Sequence, residues 1–385
     1  MSHPTLTAPL EHPTLDGDQI LPEPPFHATD PLLHSHPVTF HGKGSDYFKI
    51  WFVNWALTIV TLGIYSAWAK VRRNRYFYNH TLLDGHNFDY TADPMRILKG
   101  RLIAAAIVIP MSIMTSSQIT QWIVIGNIIY FGLSLMIPVI IVMAMRFSLR
   151  NSEYRGIHFN FTGKISRSYG VYILWSIASA LSASLLLPVM LKQQQEFLLL
   201  GSRFGQSNFD AKPPLGSRAF YNALFYSAMI AFAWILMLFV AVTIFFLVAN
   251  HTYLPQFEDS VINEIYGIIG FVSLIPLVLF TAQIMRAAMF AIIWNQAHLH
   301  GIYFRCKINI IKVSWIILSN LLMRLFSLGL LSPWCTIRIK KYLYESVRVE
   351  MSAAQKQHFL ADHQNNQSGS LAEGVDDLVG FDVGI

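Results

Sequence analysis

The sequence predicts an all-α, multi-pass membrane protein with internal parallel repeats, re-entrant or broken membrane segments and a small cytoplasmic β element. Three observations lead there: the composition, the placement of basic residues, and self-similarity along the chain. Of 385 residues, 54% are hydrophobic and 13% charged, with a mean hydropathy of +0.42. Soluble domains carry about 25% charged residues, so this chain is about half as charged as that norm. Apolar runs of about 20 residues complete the membrane pattern. The net charge of +6 then speaks of topology, and nucleic acid is not an expected partner.

Taken in order, residues 1–37 are rich in Pro, His and acidic residues, with "HPTL" at His3 and again at His12. They lack the basic-then-apolar pattern of a cleavable signal and are expected to be a disordered tail. His34, His36 and His41 have no fixed metal-ligand framework. Residues 38–160 form a first membrane repeat, 161–303 a second, and 304–350 a closing partial third. From 351 to 385 a disordered acidic tail is expected.

Within the repeats, residues 102–145 and 219–285 contain no Lys or Arg. Each is long enough for a transmembrane hairpin, predicting helices near 98–115 and 122–145, then near 222–250 and 265–294. Three further apolar segments lie at 48–69, 170–191 and 313–334. If each crossed once, the basic segments 192–218 and 286–312 (four Lys/Arg each) would face away from 70–101 and 146–167, which carry seven and five. The positive-inside rule disfavours that arrangement. If the three dip in and return, every basic segment is cytoplasmic, and so are both termini. Seven plain spans remain the competing arrangement.

Self-similarity supports a repeated unit. "TLGIYSAWAKVRRNRYFY" (61–78) and "SLGLLSPWCTIRIKKYLY" (327–344) match at an offset of 266. "FHGK" at Phe40 recurs as "FTGK" at Phe161, offset 121, and the last copy opens with "FRCK" at Phe304. A second signature is "GHNF" (85–88), "GIHF" (156–159), "GQSNF" (205–209) and "GIYF" (301–304), whose alternation suits short strands. Asn79, Asn151 and Asn295 precede these glycines by five or six residues, where an amide caps a helix or turn.

The F-x-G-K opening, "TLGIYSAWAKVRRNRYFYNHTLLDG" and the G-x-x-F elements together resemble the YjgN family, over about residues 38–350. That resemblance implies a bacterial inner-membrane protein of a family without assigned function, and carries no catalytic residues.

Little in the chain signals chemistry. "HGKGS" (41–45) lacks P-loop spacing, His298 and His300 lack a third ligand, and no nucleophile elbow or zinc-helix motif occurs. Cys306 and Cys335 make no disulfide framework, and Glu258, Asp259 and Glu264 suit a solvated loop. No enzyme activity, cofactor or metal is expected. Polar groups inside apolar segments are costly and frequently functional, so Asn54, Asn320, Arg324, Asn127, Gln283 and Arg286 form the candidate intramembrane site. Interhelical hydrogen bonding is their plain alternative. Trp68, Lys70, Arg72, Arg73, Arg75, Trp334, Arg338, Lys340 and Lys341 form a candidate interface belt that contacts anionic lipid. These features predict a transporter or channel for an unidentified small molecule or ion. The alternative is a lipid-interacting or scaffolding membrane protein without transport.

Overall fold

A computed structural model describes residues 33–211, 215–253, 280–352 and 357. The all-α expectation is wrong, because ten strands close into one antiparallel barrel. They are β1 (Leu33–Phe40), β2 (Thr81–Leu83), β3 (His86–Tyr90), β4 (Ser152–Tyr154), β5 (Ile157–Phe161), β6 (Ser202–Phe204), β7 (Ser207–Ala211), β8 (Ala297–Leu299), β9 (Ile302–Cys306) and β10 (Val347–Ser352). The physical reason is backbone pairing. Strands of three to eight residues have no independent stability, and a small open sheet would leave unpaired edges that closure abolishes. Leu33–Pro37, assigned above to the tail, are the outer half of β1, and pair with β10 from Leu33↔Ser352 to Pro37↔Arg348.

Four strand pairs turn tightly at Asp84-Gly85, Arg155-Gly156, Gly205-Gln206 and His300-Gly301. Both central residues have positive φ in three of them, with the glycines at 77°, 77° and 86°. That is the hairpin geometry which matches strand twist. In the fourth turn the glycine takes the first position, at φ 55°, which is why "GQSNF" carries one extra residue before its Phe. The fifth pair, β10 with β1, joins the two ends of the described chain and has no turn.

Between successive hairpins the chain rises into a pair of helices and returns. The pairs are α1 (Gly44–Val60) with α2 (Ser66–Asn79), and α3 (Pro94–Thr115) with α4 (Thr120–Arg150). Next come α5 (Ile165–Tyr169), one π-turn (Gly170–Leu174) and α6 (Trp175–Leu181), returning through α7 (Leu187–Gly201). The last two pairs are α8 (Ser217–Tyr253) with α9 (280–296), and α10 (Ile310–Phe326) with α11 (Ser332–Glu345). A strand–helix–helix–strand unit therefore occurs five times, short pairs alternating with long ones. The expected helix from 265 lies partly outside the described residues, and Glu258, Asp259 and Glu264 lie wholly outside them.

Local sequence explains the starts. The Met95 N–H donates to the Asp93 carboxylate at 2.9 Å, and the Lys312 N–H donates to the Asn309 side chain at 2.9 Å, so each side chain satisfies an orphan donor of the first turn. Pro94 adds the N-terminal preference.

The three short segments share one turn, written in different residues. The N–H groups of Tyr65, Leu186 and Leu331 donate to the hydroxyls of Thr61, Ser182 and Ser327 at 2.9, 3.1 and 3.1 Å. Those of Gly63, Ser184 and Gly329 donate five residues back, to the carbonyls of Thr58, Ser179 and Arg324, at 2.7, 2.8 and 2.8 Å. "TLG", "SAS" and "SLG" all place two consecutive residues at positive φ. The apolar segments therefore double back halfway. With 17 residues, α1 is about 26 Å long at 1.5 Å per residue.

The lumen of the barrel is one core cluster, including Leu83, Ile157, Phe204, Leu299 and Val349. Aromatic rings seal the strand ends outside it. The Phe161 ring folds over Gly163, where a Cβ would lie 2.5 Å from it, and Phe40 does the same to Gly42. This contact is the physical content of "FTGK" and "FHGK". The "FRCK" alignment is corrected: β9 ends on Cys306, which occupies the place of Phe40 at the same offset of 266.

Because the ring cannot yield without opening the strand end, Gly163→Ala is expected to destabilise the chain by about 1–3 kcal/mol through overpacking. Thermal unfolding of the purified protein measures it, and an unchanged midpoint would show that Phe161 can move.

Candidate functional site

The polar residues expected to meet inside the membrane do not share a site. Asn54 and Asn320 are buried, each within its own short hairpin. Asn54 Nδ2 donates to the Ala69 carbonyl at 3.5 Å, and Asn320 Nδ2 donates to the Cys335 carbonyl at 3.1 Å. Both bonds tie the outgoing helix to the returning one, and both Oδ1 atoms lack a partner. In the middle hairpin Ser176 Oγ stands 3.5 Å from the Met190 sulfur. Asn127, Gln283, Arg286 and Arg324 are exposed. Asn151 Nδ2 donates to the Phe147 carbonyl at 2.6 Å, and Asn295 exchanges two bonds with the Cys306 backbone at 3.0 and 2.6 Å, so these amides close helix ends and strand joints.

The cavity lies elsewhere, inside the barrel, with a volume of about 390 Å³. Strand alternation puts Phe88, Phe159, Phe209 and Phe304 on its wall. These are the four phenylalanines of the G-x-x-F signature, each carried inward by the strand that leaves a tight turn. Their ring partners come from other strands and helices: Phe88 with Tyr154 at 4.7 Å, Phe159 with Phe204 at 4.7 Å, and Phe304 with Trp294 at 5.0 Å. Sequence reasoning did not select Tyr154, Phe204 or Trp294, since no spacing links them to the glycines.

Several polar groups on this wall are paired within the protein, and the rest of the lining is largely apolar. The Tyr154 hydroxyl donates to the Leu83 carbonyl at 2.7 Å, and burial pushes its pKa up to about 12. The Tyr78 and Ser152 hydroxyls bond at 3.0 Å. At the mouth ringed by the turns, Asp84 stands 3.1 Å from His36 Nδ1 and 3.8 Å from the Arg155 guanidinium. At the opposite mouth the wall is built from the last turns of the returning helices, through Phe77, Leu149, Phe290 and Tyr344. A smaller polar cavity, about 330 Å³, sits among Ser35, Arg305, Lys307 and Arg348, where Glu350 pairs with Arg305 at 2.8 Å. No group of three His, Cys, Asp or Glu among the described residues could hold a metal.

Around the helices the surface is apolar. Of the most apolar stretches of α3 and α4, only 17% and 11% is buried, and both helices are long enough to cross a bilayer. At the short-hairpin turns Leu62 is 95% exposed, Leu328 94% and Leu181 85%. The residues expected to form a basic belt follow on the returning helices, and most have protein partners. Arg72 donates to the Tyr65 hydroxyl, Arg75 to the Tyr90 carbonyl and Arg338 to Ser319 Oγ, at 2.9, 3.4 and 2.7 Å. Lys341 pairs with Glu345 at 3.9 Å. Trp68 stacks on Tyr65, and Trp334 tilts against Phe48 of α1, with ring centroids 6.1 and 5.0 Å apart. The Lys340 ammonium lies 3.6 Å from the centre of the Phe77 ring.

Fold and cavity together define a class: a closed, aromatic-lined β-barrel carried at the base of outward-facing apolar helical hairpins. Residues 35–378 match a family described as "Bacterial protein of unknown function (DUF898)", and the chain belongs to that family. Relatives named "Inner membrane protein YjgN" include one from Salmonella typhimurium, 32% identical over 137 residues (35% of this chain and 34% of the relative). Another, from Escherichia coli O157:H7, is 28% identical over 127 residues, 33% and 31% of the two chains. The aligned stretches thus span about a third of each relative. No solved structure matches the chain. The resemblance carried by the TLGIY and G-x-x-F elements is therefore correct.

Burial, with Arg73 nearby, pushes the Lys340 ammonium down from 10.5 to about 8. The unfolded chain consequently binds more protons than the folded one between those two values, so stability is expected to rise as pH climbs through that window. Melting temperatures from pH 7.5 to 10 test this, and Lys340→Met should flatten the slope.

Proposed function

We propose that this protein is a lipid-interacting protein of the bacterial inner membrane, whose barrel lumen receives the apolar part of a lipid or similar hydrophobic molecule. The observation that carries this reading is the lumen itself, about 390 Å³, aromatic-walled and mostly apolar. Ligand sites are commonly cavities of about 300–1,000 Å³, mostly apolar with few polar groups. The inner-membrane names of the relatives support the location. Transport would call for the polar residues to converge on a passage, and they are dispersed among separate hairpins.

In this reading the long pairs cross the bilayer, and the barrel lies on the cytoplasmic face with both chain ends. The five similar units are descendants of one duplicated element. The short pairs enter a single leaflet. Gly63 and Lys70 are seven residues apart, about 10 Å along a helix, against a hydrocarbon core of about 30 Å. A hairpin whose returning helix becomes basic so soon cannot carry its turn to the far side without burying charge.

Two measurements address this. Ile157→Trp adds bulk to the lumen wall and should reduce co-purifying lipid, seen by native mass spectrometry, by about tenfold, with the circular dichroism spectrum unchanged. Undiminished lipid in that variant would remove the lumen as the binding site. Bimane attached at Leu62→Cys or Leu328→Cys should be quenched best by lipids with nitroxides at mid-chain depth in one leaflet. Quenching only by headgroup-labelled lipids would place the turns outside the hydrocarbon.

A further inference from the structure

The lumen has one feature that a purely apolar occupant would not use. Each basic residue on α2 and α11 is accounted for by a protein contact, with two exceptions on adjoining helices. Arg72, Arg75, Arg338 and Lys341 have the partners given above, and Lys70 also has an interaction. Arg73 and Lys340 form no hydrogen bond or ion pair among the described residues. Lys340 instead stands over two rings, 3.6 Å from the centre of Phe77 and 5.9 Å from that of Tyr344. Both rings line the lumen at its helix-facing mouth.

The half-buried Lys340 ammonium is costly for the protein alone, with the exposed Arg73 beside it. The Arg73 charge acts on Lys340, and together with burial it disfavours the ammonium. Aromatic faces attract a cation but do not neutralise it, and a cation drawn partly out of water is stabilised by an anion beside it. Glu345, on the same helix, is held by Lys341. An anion delivered from outside would neutralise Lys340 and attract Arg73, at the mouth that Phe77 and Tyr344 line.

We propose that the ligand of the lumen is a single-chain amphiphile with an anionic head, a carboxylate or a phosphate monoester, that neutralises Lys340 and Arg73 while its tail fills the barrel. This rests on the lumen reading above and adds the class of ligand. Arginine matches either oxyanion with its planar fork, and lysine supplies a compact charge.

The test uses delipidated full-length protein in nanodiscs and three probes of equal chain length: palmitate, hexadecyl phosphate and hexadecanol. Binding is followed by tryptophan fluorescence and calorimetry. At least one anionic probe is expected to bind about tenfold or more tightly than hexadecanol, and the tighter of the two identifies the head. Lys340→Met and Arg73→Gln should each erase that preference and leave hexadecanol affinity in place, while Lys340→Arg should keep it. Equal affinity for the anionic probes and the alcohol in the unaltered protein would overturn the anionic head alone. So would a preference that survives in both Lys340→Met and Arg73→Gln. Failure of all three probes, with the Ile157→Trp variant behaving the same, would overturn the lumen reading beneath it.

Discussion

The pairing of β1 with β10 is the contact on which the remaining structure depends. It joins residues near 33 to residues near 352 and turns a row of short strands into a ring with no free edge. Each three-residue strand then has a neighbour on both sides, so backbone groups that no local structure could satisfy are satisfied by the ring. The ring also fixes the helices. Five pairs leave and return at successive positions around one circumference, and the last turns of the returning helices become part of the lumen wall. Loss of that one strand pairing would therefore reach the sheet, the cavity and the arrangement of helices together.

Apolar surface is used in two opposite ways. Outside, large aliphatic and aromatic side chains of the hairpins are exposed along their length and most of all at the turns, where Leu62 and Leu328 have almost no protein contact. Inside the barrel, phenylalanines and aliphatic residues surround space that they do not fill. The hairpins bond internally where they must: Asn54 and Asn320 each spend one amide hydrogen bond on holding two helices together, and the turn hydroxyls cap the reversal. What would read as an unfinished core in a soluble domain is here divided between an exposed apolar surface on the hairpins and a chamber of the same character.

Much of this was legible in the residues, for physical reasons that can be named. The G-x-x-F signature marks the φ-positive turn residue and an inward-facing position beyond it, so it pointed to real strands and to four lumen residues. The offset of 266 aligned Asn54 with Asn320, which make the same bond. F-x-G-K encoded a ring over a glycine. That three apolar segments turn back was legible from the charge pattern, and a Leu-Gly pair marks two of the turns, but in the middle one Ala183 and Ser184 adopt positive φ without a glycine. Closure was not legible. Strands this short carry little pattern, and nothing local in "LHSHPVTF" announces a partner more than 300 residues away. Arg73 and Lys340 were seen as members of a basic belt. That these two members of the belt make no hydrogen bond or ion pair among the described residues is a property of the packing, and composition does not contain it.

The ring also imposes an order of events. Residues 33–40 are made early, and their partner at 347–352 is made only after all the described helices. Until then the first strand has one open edge, the lumen has a gap in its wall, and the hairpins have no common base. Loop closure over so long a separation is slow relative to helix formation. In the membrane arrangement proposed above, insertion of the helices would therefore precede the chamber, and lipid would already lie beside the gap that the closing strand seals.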